Sequence, residues 1–265
     1  MLLAIDIGNT HISVGTYKEA TLVADFRLST DHRRTEDEYG VLLDLLLKDA
    51  GINLHEVGAV VIASVVPPLS EVLKRMVVRR TGVEPLLVEP GVKTGMPVLY
   101  DNPREVGADR IVNGVAAYER FRDEPGGPHG VIVVDFGTAT TFDLVSPRGE
   151  YMGGAIAPGV KIAADALFER AAKLPRVDLV LPPSAVGKTT IASMQSGILY
   201  GYAGLVDGMV SRMRAELSFE VRVIATGGLA SLIAGCTQVI EAVDDYLTLE
   251  GLRIIHGRNP GGVRA

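Results

Sequence analysis

The sequence predicts an α/β protein built twice on one plan, with two mixed five-stranded sheets flanked by helices. Three observations carry this. In each half, three consecutive strand-like runs precede an alternation of helical and strand periodicity, as in a mixed sheet covered by helices. The same order of elements recurs after "RDEPGGPHG", Arg122 to Gly130. And "LLAIDIGNTHISVG" (Leu2 to Gly15) and "VIVVDFGTATTFDLV" (Val131 to Val145) share one arrangement, about half the chain apart. Each has an apolar run, an Asp, one residue, a Gly, then hydroxyl and small polar residues before a second apolar run. A repeat of that length reads as a duplicated domain, far longer than a solenoid unit.

In the first half, strands are expected near 2–7, 11–17 and 20–28, and a helix over 35–50. Thr35 followed by Glu38 has the capping-box spacing of a helix start. A strand at 57–64 follows, where "VGAVVIASVV" is apolar on both faces, then a helix over 68–81 and a strand near 85–88. Asn102 before Pro103 has the pattern of a helix start. In the second half, strands are expected at 131–136, 139–145 and 149–156, with helices over 158–171 and 188–218. A strand at 220–225, a helix over 228–235, a strand near 238–240 and a helix from 244 to about 256 complete the pattern. The expected domains are therefore 1–121 and 131–257, joined by a Pro- and Gly-rich hinge at 122–130 and followed by a frayed tail at 258–265.

Composition narrows the function. At 265 residues with 47% hydrophobic and 22% charged residues, the chain suits a soluble protein with a sizeable core. No apolar run approaches the ~20 residues of a membrane helix, and Asp6 interrupts the only N-terminal stretch resembling a signal peptide. Cys236 is the sole cysteine, which suits a reducing, cytoplasmic compartment. A net charge of −6 argues against general nucleic-acid binding. The basic clusters "HRRTEDEY" and "KRMVVRR" read as solvated helix faces.

The two Asp-Gly turns have a direct chemical use. Glycine permits close approach of a ligand, and successive backbone N–H groups around such a turn can cradle phosphate oxygens. Thr10, and Thr138 with Thr140 or Thr141, add hydroxyls. The carboxylates of Asp6 and Asp135 suit hydrated cations, since Mg²⁺ takes few carboxylates and keeps its waters. One such turn alone is compatible with a plain hairpin; two at equivalent places are not easily explained that way.

The pair resembles the phosphate-binding turns of the acetate and sugar kinase, heat-shock chaperone and actin superfamily, in which two RNase H-like domains face each other across a nucleotide cleft. That resemblance implies a glycine pair near the adenosine, matched by Gly227 and Gly228 in "RVIATGGLA". "SAVGKTT" (Ser184 to Thr190) ends like a P-loop, but Pro182 stands where the motif needs glycine, and Pro182 and Pro183 lack the N–H groups of a phosphate nest.

"YDNPREVGADRIVNG" (Tyr100 to Gly114) narrows the choice. With "DIGNT", "VVDFGTATT", "GGAIAPG" and "GKTTIASMQSGILYG" in the same order, the chain resembles the type III pantothenate kinase family over nearly its whole length. The resemblance departs at Thr189, where the family usually has Asn. It implies phosphorylation of pantothenate by ATP at the entry to coenzyme A synthesis. Asp6, Ile7, Gly8, Asn9, Thr10, His11, Ile12 and Ser13 would surround the ATP phosphates, with Thr138 from the second domain. Tyr100, Gly107, Ala108, Asp109, Arg110 and Thr190 would hold pantothenate. Asp109 would accept the proton of its primary hydroxyl, and Arg110 would steady its negative charge. Asp6 would hold Mg²⁺ through water, and Asp135 a potassium or ammonium ion. The family resemblance further implies a homodimer. A sugar or carboxylic acid kinase of the same superfamily, and a nucleotide-gated regulator, are the alternatives that the two turns alone leave open.

Overall fold

In a computed structural model, residues 1–123 and 129–260 are described. The chain forms two compact units: Met1–Ala116 together with Leu247–Ala265, and Ala117–Tyr246.

The first unit contains β1 (Leu2–Ile7), β2 (His11–Lys18), β3 (Thr21–Ser29), α1 (Glu36–Asp49), β4 (Ala59–Ser64), α2 (Pro67–Thr81) and β5 (Leu86–Leu87). Its sheet has the order β3-β2-β1-β4-β5. β1 runs antiparallel to β2 and parallel to β4. The central strands β1 and β4 bury both faces, whereas edge strand β3 alternates exposed and half-buried residues. That contrast follows from the Ala, Val and Ile runs of "LLAIDI" and "AVVIAS" against the alternating "TLVADFRLS". The capping box forms as expected: Thr35 Oγ1 accepts from the Glu38 N–H at 3.3 Å, and Glu38 accepts from the Thr35 N–H at 2.7 Å. The two clusters meet within the unit: Arg75 and Arg79 of α2 pair with Glu36 of α1 at 2.9 and 3.3 Å, and Arg33 pairs with Asp31 at 3.3 Å.

The second unit contains β6 (Gly130–Phe136), β7 (Ala139–Val145), β8 (Tyr151–Pro158), α4 (Val160–Arg170), α5 (Thr190–Glu216), β9 (Val221–Thr226), α6 (Ala230–Ala234) and β10 (Ala242–Val243). Its sheet order, β8-β7-β6-β9-β10, repeats that of the first unit strand for strand. β6 is antiparallel to β7 and parallel to β9, as β1 is to β2 and β4. One plan is used twice.

Several elements differ from expectation. The strand expected at 238–240 lies at Ala242–Val243, paired with Ile224 and Ala225 of β9; Val239 and Ile240 instead add apolar surface to the core. The helix signalled by Asn102 and Pro103 is a single 3-10 turn, Pro103–Glu105. Val106 returns to extended backbone, and the true helix, α3, spans Ala108–Phe121. The unit division falls inside α3, before the stretch expected as a hinge. Of that hinge, 122–130, residues 124–128 lie outside the described residues, as do 261–265 of the expected tail. The last helix, α7 (Leu247–Arg258), belongs to the first unit and not to the domain expected at 131–257. It packs on β1, β2 and β4. A Cβ at Gly15 of β2 would lie 3.0 Å from Leu249, and a Cβ at Gly251 would run into the Val112 carbonyl oxygen of α3. Apolar periodicity alone cannot report which sheet a terminal helix covers.

Candidate active site

In the first unit the expected residues gather at the C-terminal end of β1. Asp6 is half-buried, in register with Ser13 of β2 and Ala63 of β4. The β1–β2 turn is closed by the Gly8 N–H donating to the His11 carbonyl at 3.0 Å. Thr30 anchors it from behind: its N–H donates to the Thr10 carbonyl at 3.0 Å and its hydroxyl to the Gly8 carbonyl at 2.7 Å. Asn9, Thr10 and His11 are left exposed at the tip. Ile7 and Ile12 are wholly buried in the core, so their side chains face away from any ligand and only their backbone is available. Thr30 carries no motif; only the fold reveals it.

The segment carrying Asp109 reaches the same strand end. A Cβ on Gly107 would lie 3.8 Å from Val65, and the Val65 N–H donates to the Ile7 carbonyl at 3.1 Å. Asp109 stands in the first turn of α3, and its Oδ1 accepts from the Arg110 N–H at 2.8 Å. That same oxygen would be 2.5 Å from a Cβ on residue 107, so glycine there makes room for the carboxylate. Burial pushes the Asp109 carboxyl above the usual aspartate range, against the opposing pull of the Arg110 N–H and guanidinium. A carboxylate so placed is more basic than an exposed one, which favours proton acceptance. Arg110 is itself buried, while Tyr100 is half-buried in the irregular segment before α3.

The second unit assembles a matching group. Asp135 is half-buried near the end of β6, and its Oδ1 lies against two turns. A Cβ would come within 2.5 Å of it from Gly227 and 3.6 Å from Gly137. Gly227 has φ +93, open to glycine and strained for other residues. Gly228 and Thr138 are exposed beside these turns. Gly159, the N-cap of α4, sits so close to the β6–β7 turn that a Cβ would overlap the Thr138 carbonyl and lie 2.7 Å from that of Gly137. The "GGAIAPG" stretch thus ends on a glycine that backs the phosphate-type turn.

Thr190 begins α5 and lines an apolar cavity of about 590 Å³ with Leu167, Met194 and Tyr202. The P-loop-like run has no strand before it; residues 171–189 are irregular. The "SMQSGILY" side chains hold that stretch to α5: Ser196 donates to the Ala185 carbonyl at 2.6 Å, Gln195 to that of Asp178 at 2.9 Å and Tyr200 to that of Pro182 at 3.0 Å. Thr189 caps α5, accepting from the Ala192 N–H at 3.1 Å. Asn would fill that cap equally well, so the departure at this position is physically neutral.

The family model for type III pantothenate kinase matches residues 2–212. The chain belongs to the type III pantothenate kinase family. It is 59% identical to the type III pantothenate kinase of Geobacter sulfurreducens over 98% of this chain and 99% of that one. Among solved structures it resembles a Campylobacter jejuni protein described as a Baf family transcriptional activator, with 20% identity, TM-score 0.63 and coverage of 97% and 98%. It also resembles the ROK hexokinase of Thermus thermophilus, with 12% identity, TM-score 0.52 and coverage of 96% and 97%. At those identities the two structures show a shared fold, the duplicated RNase H-like plan, and nothing of substrate. Membership of this kinase family makes the chain a kinase that uses ATP.

The residues present fit the cations expected of the family. Asp6 and Asp135 each offer one half-buried carboxylate at a strand end, opposite the hydroxyl-bearing Ser13 and Thr141 in their ladders. A single carboxylate beside a hydroxyl suits Mg²⁺ with its waters, or a monovalent ion. Among the described residues, no group of three or more His, Cys, Asp or Glu side chains could hold a metal, and no helix is long and apolar enough to cross a membrane.

Proposed function

We propose that this chain transfers the γ-phosphoryl group of ATP to the primary hydroxyl of pantothenate, the first step of coenzyme A synthesis, in the cytoplasm. The observation that carries the reading is Asp109: a carboxylate made more basic by burial, on the segment "VGADR", at the strand end that also bears Asp6.

Phosphoryl transfer proceeds through a loose transition state, so catalysis rests on positioning and on neutralising charge on the transferred group. Asp109 takes the hydroxyl proton as the new P–O bond forms, while Arg110 steadies the negative charge of the acceptor. Tyr100, Gly107, Ala108 and Thr190 hold pantothenate. The backbone from Asp6 to Ser13 surrounds the phosphates, joined by Thr138, and Gly227 and Gly228 lie along the adenosine. Asp6 would hold Mg²⁺ through water and Asp135 a potassium or ammonium ion; such ions, when bound, would screen the phosphate charge. The protein acts as a homodimer. Exposed apolar side chains supporting this concentrate on β8, α4, the following loop and the start of α5, among them Ile156, Ile162, Val186 and Ile191.

A coupled ADP-release assay with Mg²⁺ and potassium tests the reaction. Release that depends on pantothenate and does not occur with glucose is the expected result. Equal or greater release with glucose, or none with pantothenate, overturns the substrate assignment.

A further inference from the structure

Asp143 is a wholly buried carboxylate in the middle of β7 for which the phosphoryl transfer described above has no use. Its two oxygens are each engaged: Tyr151 OH donates to Oδ1 at 2.7 Å, and Thr141 Oγ1 donates to Oδ2 at 2.8 Å. Burying a carboxylate is costly unless it is well hydrogen-bonded, and its neighbour across the ladder is an apolar Val133. Packing alone therefore does not explain an aspartate here.

The strand geometry shows what the arrangement serves. Thr141 stands directly opposite Asp135 in the β6–β7 ladder, and Thr226 flanks Asp135 in the β6–β9 ladder. Opposed residues share one sheet face, with Cβ atoms roughly 4.5–5.5 Å apart, within the span of one ion touching both side-chain oxygens. Tyr151 reaches this face because β8 is bulged. Leu144 pairs with Gly153 but Val145 pairs with Tyr151, so Met152 is the extra residue and the register shifts. Gly153, at φ +123, permits the distortion. A bulge that re-aims one side chain is a built feature; here it brings the Tyr151 hydroxyl to Asp143.

A threonine hydroxyl has one proton and two lone pairs. With its proton given to Asp143, Thr141 turns only lone pairs outward. We infer that Thr141 Oγ1 is a second oxygen ligand of the monovalent cation at Asp135, and that Asp143, gripped by Tyr151, is the positioning residue that keeps this hydroxyl an acceptor. The inference rests on the reading of Asp135 as the cation site.

The test is a potassium titration of the full-length protein followed by thermal melting, with sodium as the ionic-strength control, alongside the potassium half-saturation of the reaction rate. Thr141→Val is expected to raise the potassium half-saturation of the melting shift by about 10- to 100-fold, the usual effect of disturbing groups around a metal. Thr141→Ser keeps the hydroxyl and stays close to the native value, and Tyr151→Phe moves in the same direction as Thr141→Val by a smaller factor. Asp135→Asn abolishes the shift. An unchanged half-saturation in Thr141→Val, with the shift lost in Asp135→Asn, overturns the role of Thr141 and leaves that of Asp135 standing. A native half-saturation in Tyr151→Phe overturns the role of Asp143, and this variant alone decides the matter if Thr141→Val does not fold. No potassium-specific shift in the native protein, or a full one in Asp135→Asn, overturns the underlying cation reading.

Discussion

At Asp109 two demands oppose each other. The carboxyl must be ionised to accept a proton, yet its surroundings disfavour the charge. Asp109→Asn keeps an oxygen for the Arg110 N–H but cannot take the proton, so turnover with pantothenate is expected to fall by roughly 10²–10⁴-fold in a steady-state assay. Near-native turnover would remove Asp109 from that role. Stability should move the other way. A carboxyl whose folded pKa lies above its unfolded value binds its proton more tightly when folded, so its stabilising contribution is complete below the unfolded pKa and lost as pH rises through the folded one. At neutral pH, above the unfolded value, the group is therefore a burden. Asp109→Asn is expected to melt higher than the native protein at pH 7, with the gap closing as the pH falls toward the ordinary aspartate value of 3.8; a lower melting point at pH 7 would contradict the burial argument. Asp6, Asp109 and Asp135 are legible in the sequence because each sits in a local pattern. Thr30, Gly159 and Asp143 are not. Thr30 and Gly159 act on turns distant in sequence, and Asp143 is reached by Tyr151 across the bulged β7–β8 ladder, so only the fold reveals the partners.

Among elements, legibility follows how locally each is determined. β1, α1, α2 and β7 appear where the sequence predicts them, because apolar period, the Thr35–Glu38 cap and paired prolines act within a few residues. β10 and α3 are displaced from expectation. A two-residue strand is specified by its neighbour β9 more than by its own side chains, and the Asn102–Pro103 signal supports only one tight turn before Val106 extends. Helix α7 shows the limit most clearly, since its own pattern does not identify the sheet it covers. Its seat on the first unit depends on Gly251, which lets the α7 backbone approach Val112 of α3, while Thr248 Oγ1 donates to Asn113 Oδ1 at 2.7 Å one turn away. Gly251→Val is therefore expected to cost at least about 1–3 kcal/mol, the usual range for overpacking a tight interface. Urea unfolding followed by circular dichroism reads this as a lower midpoint. The exposed Gly257 in the last turn of the same helix meets nothing within 4 Å where a Cβ would be, so Gly257→Ala is the control and should not lower the midpoint.

For the whole molecule, duplication explains why two short acidic turns suffice to announce the fold: each is the same solution to ending a first strand at a phosphate-type turn, and the sheet order repeats around both. The apolar surface needs a different explanation. Val186 is 77% exposed and Ile156 65%, on a chain with a net charge of −6. Apolar side chains this open are costly in water when they cluster and are covered when two copies meet. If the second unit supplies the proposed dimer seam, a single carboxylate placed there must be buried without a partner in the assembled form. Ile156→Asp and Val186→Asp, made separately, are expected to sediment at the 28.2 kDa chain mass, with the native protein at twice that value. Both sites are exposed within one chain, so the variants should keep the native far-ultraviolet circular dichroism. Were the native protein to sediment as a single chain, the homodimer would be excluded. Were both variants to remain dimeric, the seam would lie on another face.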